Sequence, residues 1–274
     1  MDSCKIKLKE ITIRPEAIYL YVPPIVWKGD PLGHIGEKDL FFWVIEGECF
    51  LKIDNQNYIV HPGQLAYLPK GKMRTYTHVS ERFTMYEMSF SAEADGTSLM
   101  ELLGLTENDF VVNIPDKKEM SALFEGSYRK ELVRNSIYDL TWCANITNVI
   151  KIYAHEHSRQ SSGKSKVFRP VLEYMTLNLG RYIKIDELAA IMFMQPTYFI
   201  KKFSEAFGIS PLSYFNRMKI YQAMSLLVGT ELPIDEISVK VGFADPSYFT
   251  RMFKKHCRVT PTMYRNEFKQ TIKQ

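Results

Sequence analysis

The sequence has few of the features that mark membrane, secreted or metal-binding proteins. No stretch of its 274 residues approaches the roughly eighteen consecutive apolar residues of a membrane-spanning helix. The N-terminal segment MDSCKIKLKE has no apolar run behind its charges, so we infer no secretion signal. The four cysteines are scattered, with no pair at metal-ligand spacing. We therefore expect free thiols in a cytoplasmic protein that has no membrane segment.

Basic and acidic residues are unevenly distributed along the chain. Residues 1–160 hold 18 Lys and Arg against 22 Asp and Glu, whereas residues 161–274 hold 17 against 9. The formal net charge is thus −4 in the first part and +8 in the second. A basic part attracts a polyanion, but charge alone does not distinguish DNA, RNA and an anionic membrane surface.

The pattern of apolar residues changes along the chain and predicts an α+β protein. Up to about residue 90, short segments rich in aromatic and β-branched residues alternate with turn signals, which favours an antiparallel barrel or sandwich. From Pro115 onward, apolar residues recur at helical spacing. A polar run at 155–166 is interpreted as a linker between domains at 1–154 and 167–274. The predicted strands are 41–47, 49–54, 57–61, 64–69, 74–79 and 82–90.

The second domain contains an internal repeat. PTYFIKKF at 196–203 and PSYFTRMF at 246–253 are nearly the same segment, and IDELA at 185–189 matches IDEIS at 234–238. Each copy has the pattern of a short helix, a tight turn and a second helix that begins at proline, which predicts two tandem helix-turn-helix units. The apolar spacing of MKIYQAMSLLV predicts one long helix that joins them. Two copies are too few for the alternative, a purely structural solenoid.

Residue types separate by face in the second helix of each unit. The aromatic side is interpreted as core, and it comprises Tyr198, Phe199, Phe203 and Phe207 in the first unit and Tyr248, Phe249, Met252 and Phe253 in the second. The opposite side carries the Arg, Lys, Ser and Thr that a helix in the major groove needs, since Arg can bind guanine and a Thr methyl can contact thymine. The candidate DNA-binding residues are Thr197, Ile200, Lys201, Ser204, Ser247, Thr250, Arg251 and Lys254.

The segment IDEISVKVGFADPSYFTRMFKKHCRVTPTMYR at 234–265 resembles the signature of the AraC/XylS family of bacterial transcription regulators. The resemblance implies a seven-helix DNA-binding domain whose two recognition helices read asymmetric half-sites in promoter DNA. It also implies a sequence-specific regulator that contacts RNA polymerase, which we interpret as an activator rather than a repressor. Ile200 departs from this picture, because a polar side chain would read bases better. The first helix is therefore expected to contribute apolar thymine contacts or less specificity.

Residues 33–76 resemble a cupin barrel, which often serves as the sensor domain of this family. Enzymatic cupins bind a metal through three His and one Glu. Here His34 matches the first His, but Gly36, Leu40 and Arg74 occupy the other positions, so we expect no metal and no cofactor. We expect a small effector instead, and Arg74 would suit a carboxylate or phosphate. An empty, purely structural barrel is the alternative. The candidate ligand-binding residues are His34, Trp43, Tyr67, Arg74 and Tyr86.

Two helices predicted within 117–153 follow the barrel. In family members of this layout such a helix packs against its mate, so we expect a homodimer through this region. The stripe Ile137–Leu140–Ala144–Ile150 suits either that contact or packing against the barrel.

The rival function is enzymatic. One version is a cupin oxygenase or isomerase, which needs the three metal ligands that are missing. The other is a Cys-dependent DNA-repair protein that carries the same DNA-binding domain. A repair cysteine needs an activating neighbour, and we expect none of the four cysteines to be activated in this way.

Overall fold

A computed structural model describes residues 10–22, 30–54, 56–78, 82–107, 109–131, 136–161 and 164–272. Strands dominate as far as residue 113, and helices follow. The strands are β1 (Ile11–Tyr21), β2 (Asp30–Ile35), β3 (Asp39–Glu46), β4 (Cys49–Ile53), β5 (Gln56–Val60), β6 (Gln64–Leu68), β7 (Met73–His78), β8 (Thr84–Ala94), β9 (Thr97–Ser98) and β10 (Val111–Asn113). The helices are α1 (Leu99–Leu102), α2 (Lys117–Glu131), α3 (Ser136–Ser161), α4 (Lys164–Leu177), α5 (Ile185–Ile191), α6 (Pro196–Phe207), α7 (Pro211–Gly229), α8 (Ile234–Lys240), α9 (Pro246–Cys257) and α10 (Pro261–Ile272).

The strands form two antiparallel sheets. The first has the order β1-β8-β3-β6-β10, with β9 paired to β8, and the second has the order β2-β7-β4-β5. The sheets face each other, since Phe42 of β3 meets Tyr76 of β7 edge to face with ring centroids 5.2 Å apart. All six predicted strands are present, which confirms the cupin-like α+β fold, and we refer to these two sheets as the barrel.

Helices α2 and α3 cover the outer face of the first sheet. Successive side chains of a strand point to opposite faces. Phe42 therefore lies between the sheets, whereas Phe41 packs against Tyr153 of α3 and Trp43 packs against Phe124 of α2. Burying both faces explains why β3 is buried without interruption from Asp39 to Val44. The first sheet is thus the central layer of the N-terminal domain.

Seven helices, α4 to α10, form the C-terminal domain within the described residues. Helix α7 runs through its centre and buries side chains all round, as expected for the predicted joining helix. Helices α5 and α6 form one helix-turn-helix unit, and α8 and α9 form the other. Phe199 and Phe203 of α6 and Phe249 and Phe253 of α9 are fully buried, so the prediction that these aromatics are core is confirmed.

The polar run at 155–166 is not an irregular linker where the structure describes it. Helix α3 continues to Ser161, and α4 begins at Lys164, while residues 162–163 lie outside the described part. The predicted domain boundaries remain predictions, and the correction is that most of this run is helical.

Among the described helices, none combines the length and apolar character needed to cross a membrane.

The predicted stripe on α3 divides between two environments. Ile150 is buried against the barrel, whereas Leu140 is 74% exposed and Ala144 is also exposed. The side chain of Ile137 lies outside the described residues. One end of the stripe therefore packs on the barrel, and the other end faces outward.

Candidate nucleic-acid interface and barrel interior

Helices α6 and α9 share the same construction. Each has proline in its first turn, and each is followed by a left-handed residue, Gly208 after α6 and Arg258 after α9. Their N-termini differ, because Asp245 accepts a 2.8 Å hydrogen bond from the backbone N–H of Ser247, whereas Gln195 makes no side-chain cap. A carboxylate therefore stands at the start of α9 and a neutral amide at the start of α6.

The eight predicted DNA-binding residues lie on the outer faces of the two helices. This placement follows from the burial of Phe199, Phe203, Phe249 and Phe253 on the inner faces. Most of the eight are exposed, and Ser204 and Thr250 are half-buried beside the core. In α6 the exposed members are Thr197, Ile200 and Lys201, and in α9 they are Ser247, Arg251 and Lys254. Helix α9 can thus present polar and basic side chains to a groove, and α6 presents Thr197 and Lys201 together with the apolar Ile200.

Tyr198 and Tyr248 are not core residues, which corrects the sequence interpretation. Both are exposed, and each lies beneath a cation of its own helix. The Arg251 guanidinium carbon is 5.9 Å from the Tyr248 ring centroid, and Lys202 Nζ is 5.7 Å from that of Tyr198. A cation over an aromatic face is held by the ring's quadrupole. The tyrosines therefore restrain basic side chains at the interface. The helical spacing of the aromatic residues had suggested a core position instead.

Lys219 is a buried cation of α7 that the sequence analysis missed. Its ammonium donates a 2.8 Å hydrogen bond to the carbonyl oxygen of Gly242, in the turn that precedes α9. It also lies 4.7 Å from the centroid of the Phe215 ring and 5.3 Å from that of Phe243. Burial lowers the pKa of Lys219 to about 8. Lys219 thus ties the central helix to the second recognition helix.

The turn of the second unit requires glycine. Gly242 has a φ of +75°, and a Cβ there would lie 2.7 Å from the backbone nitrogen of Arg181. The matching position of the first unit is Phe193, which adopts the same left-handed region with a φ of +53°. Its side chain is 99% exposed, so within the described part of the chain no backbone packs against this position as Arg181 does against Gly242.

Inside the barrel, Arg74 is the most deeply placed cation. Its guanidinium donates to the carbonyl oxygens of Lys38 at 3.0 Å and Leu68 at 3.2 Å, and it lies 3.4 Å from His34 Nε2. The other ring nitrogen of His34 pairs with Asp30 at 2.5 Å. A Cβ on Gly36 would lie 2.5 Å from Arg74 Cζ. The guanidinium therefore fills the space that the second metal-binding His of a cupin would need.

The structure does not bring the five candidate ligand residues together. His34 and Arg74 are neighbours, but Trp43, Tyr67 and Tyr86 lie on the opposite face of the first sheet, under α2 and α3. Trp43 Nε1 donates to Ser121 Oγ at 3.0 Å, Tyr67 donates to Asp39 at 2.6 Å, and the Tyr86 ring packs on Phe124. Trp43 and Tyr86 thus fasten α2 to the sheet, and Tyr67, whose ring also packs on Tyr153 of α3, joins β6 to β3 and to α3.

The groups that do surround Arg74 include a carboxylate that the sequence analysis missed. Burial raises the pKa of Glu87, and this rise is opposed by Arg74 and by the hydrogen bond with Tyr21. Tyr76 also belongs to this set, and burial raises its pKa to about 12. In the described residues no three His, Cys, Asp or Glu side chains are grouped closely enough to hold a metal ion. The barrel interior thus offers a buried guanidinium and a carboxyl group.

Comparison with known proteins finds a family match in each half of the chain. A family model described as a helix-turn-helix domain matches residues 188–267, and one described as an AraC-like ligand binding domain matches residues 40–133. YdiP, an uncharacterized HTH-type transcriptional regulator of Escherichia coli, is 23% identical over 89% of this chain and 83% of its own length.

Other relatives match a smaller part of this chain. The lactose operon transcription activator of Staphylococcus xylosus is 29% identical over 38% of this chain and 37% of its own. The bifunctional transcriptional activator/DNA repair enzyme AdaA of Bacillus subtilis is 28% identical over 35% of this chain and 45% of its own. The chain therefore spans less than half the length of these two proteins.

Proposed function

Because this chain belongs to the AraC family of transcription regulators and carries its helix-turn-helix DNA-binding domain, we propose that it reads promoter DNA with α6 and α9 together. The observation that supports this most directly is the outward position of the predicted polar and basic residues on both helices. Helix α7 joins the two units as one rigid element. The helices then enter successive major-groove segments, which lie about 34 Å apart on one face of DNA.

The two helices have different tasks in this proposal. Arg251 can bind both acceptors of a guanine, and the Thr250 methyl can contact thymine, so α9 reads bases. Helix α6 offers Ile200 and Lys201, which suit an apolar thymine contact and a phosphate contact. Its neutral N-terminus also repels phosphate less than the Asp245 carboxylate does at α9. The first helix thus anchors, and the second specifies.

The barrel is proposed as the sensor of a small anionic effector. A buried arginine beside a carboxyl group of raised pKa is suited to exchange its partner for a ligand carboxylate or phosphate. Of the predicted ligand residues, His34 and Arg74 form this site, and Glu87 and Tyr76 complete it. Trp43, Tyr67 and Tyr86 are left out, since they pack beneath the helices.

The remaining expectations concern context. We propose a cytoplasmic activator that contacts RNA polymerase, and the names of relatives such as the lactose operon transcription activator support that sign of regulation. We also propose a homodimer through the outward face of α3, where Leu140 and Ala144 are exposed. The barrel face of that helix is already occupied by Ile150 and Tyr153.

The DNA-repair alternative has support from AdaA, whose name includes that activity. A repair cysteine needs a thiolate, and therefore a lowered pKa. Burial instead raises the pKa of Cys49 and of Cys257. Cys143 donates weakly to the carbonyl oxygen of Ile13, and Cys4 lies outside the described residues. These environments favour the regulator over the repair enzyme.

The test is selection of genomic DNA fragments by the purified full chain, followed by footprinting over a range of salt concentrations. We expect a protected site with two unequal halves and a steep loss of affinity as salt rises. Absence of any salt-sensitive specific site would overturn the regulator proposal.

A further inference from the structure

The barrel contacts the DNA-binding domain through a charged group on the turn between β3 and β4. The Glu48 carboxylate pairs with Arg217 of α7, and it also lies 3.3 Å from His61 Nδ1 at the end of β5. Burial opposes ionisation of this carboxyl, but hydrogen bonds from His61 and Arg217 hold its pKa at about 2. Glu48 is therefore charged at neutral pH and bridges the two domains.

An aromatic stack lies beside this ion pair. Phe50 of β4 and Tyr221 of α7 are parallel within 11°, with ring centroids 3.9 Å apart. Phe50 and Ile59 belong to the hydrophobic core of the DNA-binding domain, not to that of the barrel. Asn57 adds a 3.1 Å hydrogen bond to Thr176 of α4. The outer face of the second sheet thus supplies part of the core on which the helix-turn-helix units rest.

The same ion pair acts electrostatically on the second recognition helix. His256, in the last turn of α9, is half-buried, and its pKa is lowered by burial and by Arg217, with Glu48 acting in the opposite sense. The predicted DNA-binding residues Ser247, Arg251 and Lys254 remain exposed. The barrel therefore contacts α7 and places the charge of Glu48 near enough to influence His256 of α9, while it leaves the DNA-facing surface open.

We propose that the barrel is part of the DNA-reading unit, with Glu48 and Phe50 clamping α7 so that both recognition helices keep the spacing and orientation that two half-sites require. The inference rests on the proposed function and assigns these two barrel residues a positioning role in DNA binding. A clamped domain loses less freedom when it binds, so its affinity for a double site is higher.

The experiment compares full-length variants on the selected fragment and on fragments with either half-site scrambled. Glu48→Gln removes the ion pair, and Glu46→Gln is its control, because Glu46 is an exposed carboxylate at the end of β3, two residues before Glu48. Phe50→Ala and Tyr221→Leu remove the stack. Tyr221→Phe is their control, since it keeps the ring and loses only a buried hydroxyl for which the described residues provide no partner. Amide hydrogen exchange of 211–229 reports whether α7 is released.

We expect Glu48→Gln and Phe50→Ala to weaken binding to the double site by about threefold or more relative to their controls, with faster exchange in α7. Affinity for a single half-site should stay within about twofold of the wild type. Removing a negative charge from the protein would by itself strengthen binding to DNA. Weaker binding by Glu48→Gln therefore cannot be explained by the change in net charge. If these variants bind the double site as tightly as their controls or more tightly, the positioning role of Glu48 and Phe50 is wrong, but the proposed regulator function is unaffected. A wild-type chain with no specific site overturns the proposed function instead.

Discussion

The Lys219 ammonium lies 2.8 Å from the carbonyl oxygen of Gly242 and joins the middle of α7 to the turn before the second recognition helix. Gly242 is in turn backed by Gly180 and Arg181, so the turn is fixed from two sides. The position of α9 relative to α6 therefore depends on a buried amine as well as on apolar packing. The contact is a polar link between sequence positions that share no local motif.

The first prediction concerns the pH dependence of stability. The pKa of Lys219 is about 8 in the folded protein, below its ordinary value of about 10.4 in an unfolded chain. Between these values the unfolded state binds more protons, so the stability contributed by this group rises with pH. From pH 7.5 to 9.5 the gain is on the order of 2 kcal/mol. In urea unfolding, the free energy of unfolding of the wild type should therefore rise with pH relative to that of Lys219→Met. A difference between the two proteins that does not change with pH would contradict the prediction.

The second prediction is that replacing two different glycines with alanine changes the stability of the protein in opposite directions. In Gly36→Ala the new Cβ would lie 2.5 Å from the Arg74 guanidinium, which is held by two carbonyl oxygens, so we expect a loss of about 1–3 kcal/mol. In Gly126→Ala, inside α2, the nearest described atom to the new Cβ would be Asn145 Nδ2 at 3.4 Å, an ordinary contact distance, and better helix propensity should stabilise the protein by up to about 1 kcal/mol. Denaturant unfolding of both variants is the measurement. Equal effects would mean that Arg74 moves aside freely.

The strands and the duplicated unit were predictable because turn residues and apolar periods are local signals. The direction of the barrel side chains was not, since Asp39 to Val44 is buried on both faces and shows no alternation. Trp43 therefore looked as suitable for a pocket as His34. Strand β1 was missed because Pro15 and a register shift after it interrupt the strand pattern.

Contacts between distant parts of the chain account for the other omissions. Arg217 meets Glu48 across 169 positions, and nothing near either residue in sequence marks the pair. The predicted burial of the two tyrosines of the recognition helices was wrong for a different reason. Tyr198 and Tyr248 sit at the edge of the apolar stripe, where a ring can face either the core or a neighbouring cation, and period alone does not distinguish these outcomes.

The third prediction tests the proposed homodimer. Leu140 is largely exposed on α3, so Leu140→Glu should leave the free energy of unfolding of the monomer within about 0.5 kcal/mol of the wild-type value. A charge in a self-complementary apolar contact is unfavourable, because each copy meets its like. Sedimentation analysis should therefore show a wild-type dimer and a mutant monomer. A wild type that is monomeric at all accessible concentrations would remove this part of the proposal.

The fourth prediction distinguishes reading from anchoring within α9. Arg251 is held over the Tyr248 ring on the outer face, and Lys254 lies one turn further along with its charge exposed. Arg251→Ala should cost about 1–3 kcal/mol on the preferred site and relax the base preference at one position, because a bidentate guanine contact is lost. Lys254→Ala should weaken binding uniformly across sequences and reduce the salt slope by about one. Selection from randomised half-sites, with affinities at several salt concentrations, measures both effects. If the two variants shift specificity and salt slope alike, then Arg251 binds phosphate, and base reading by α9 falls to Thr250 and Ser247.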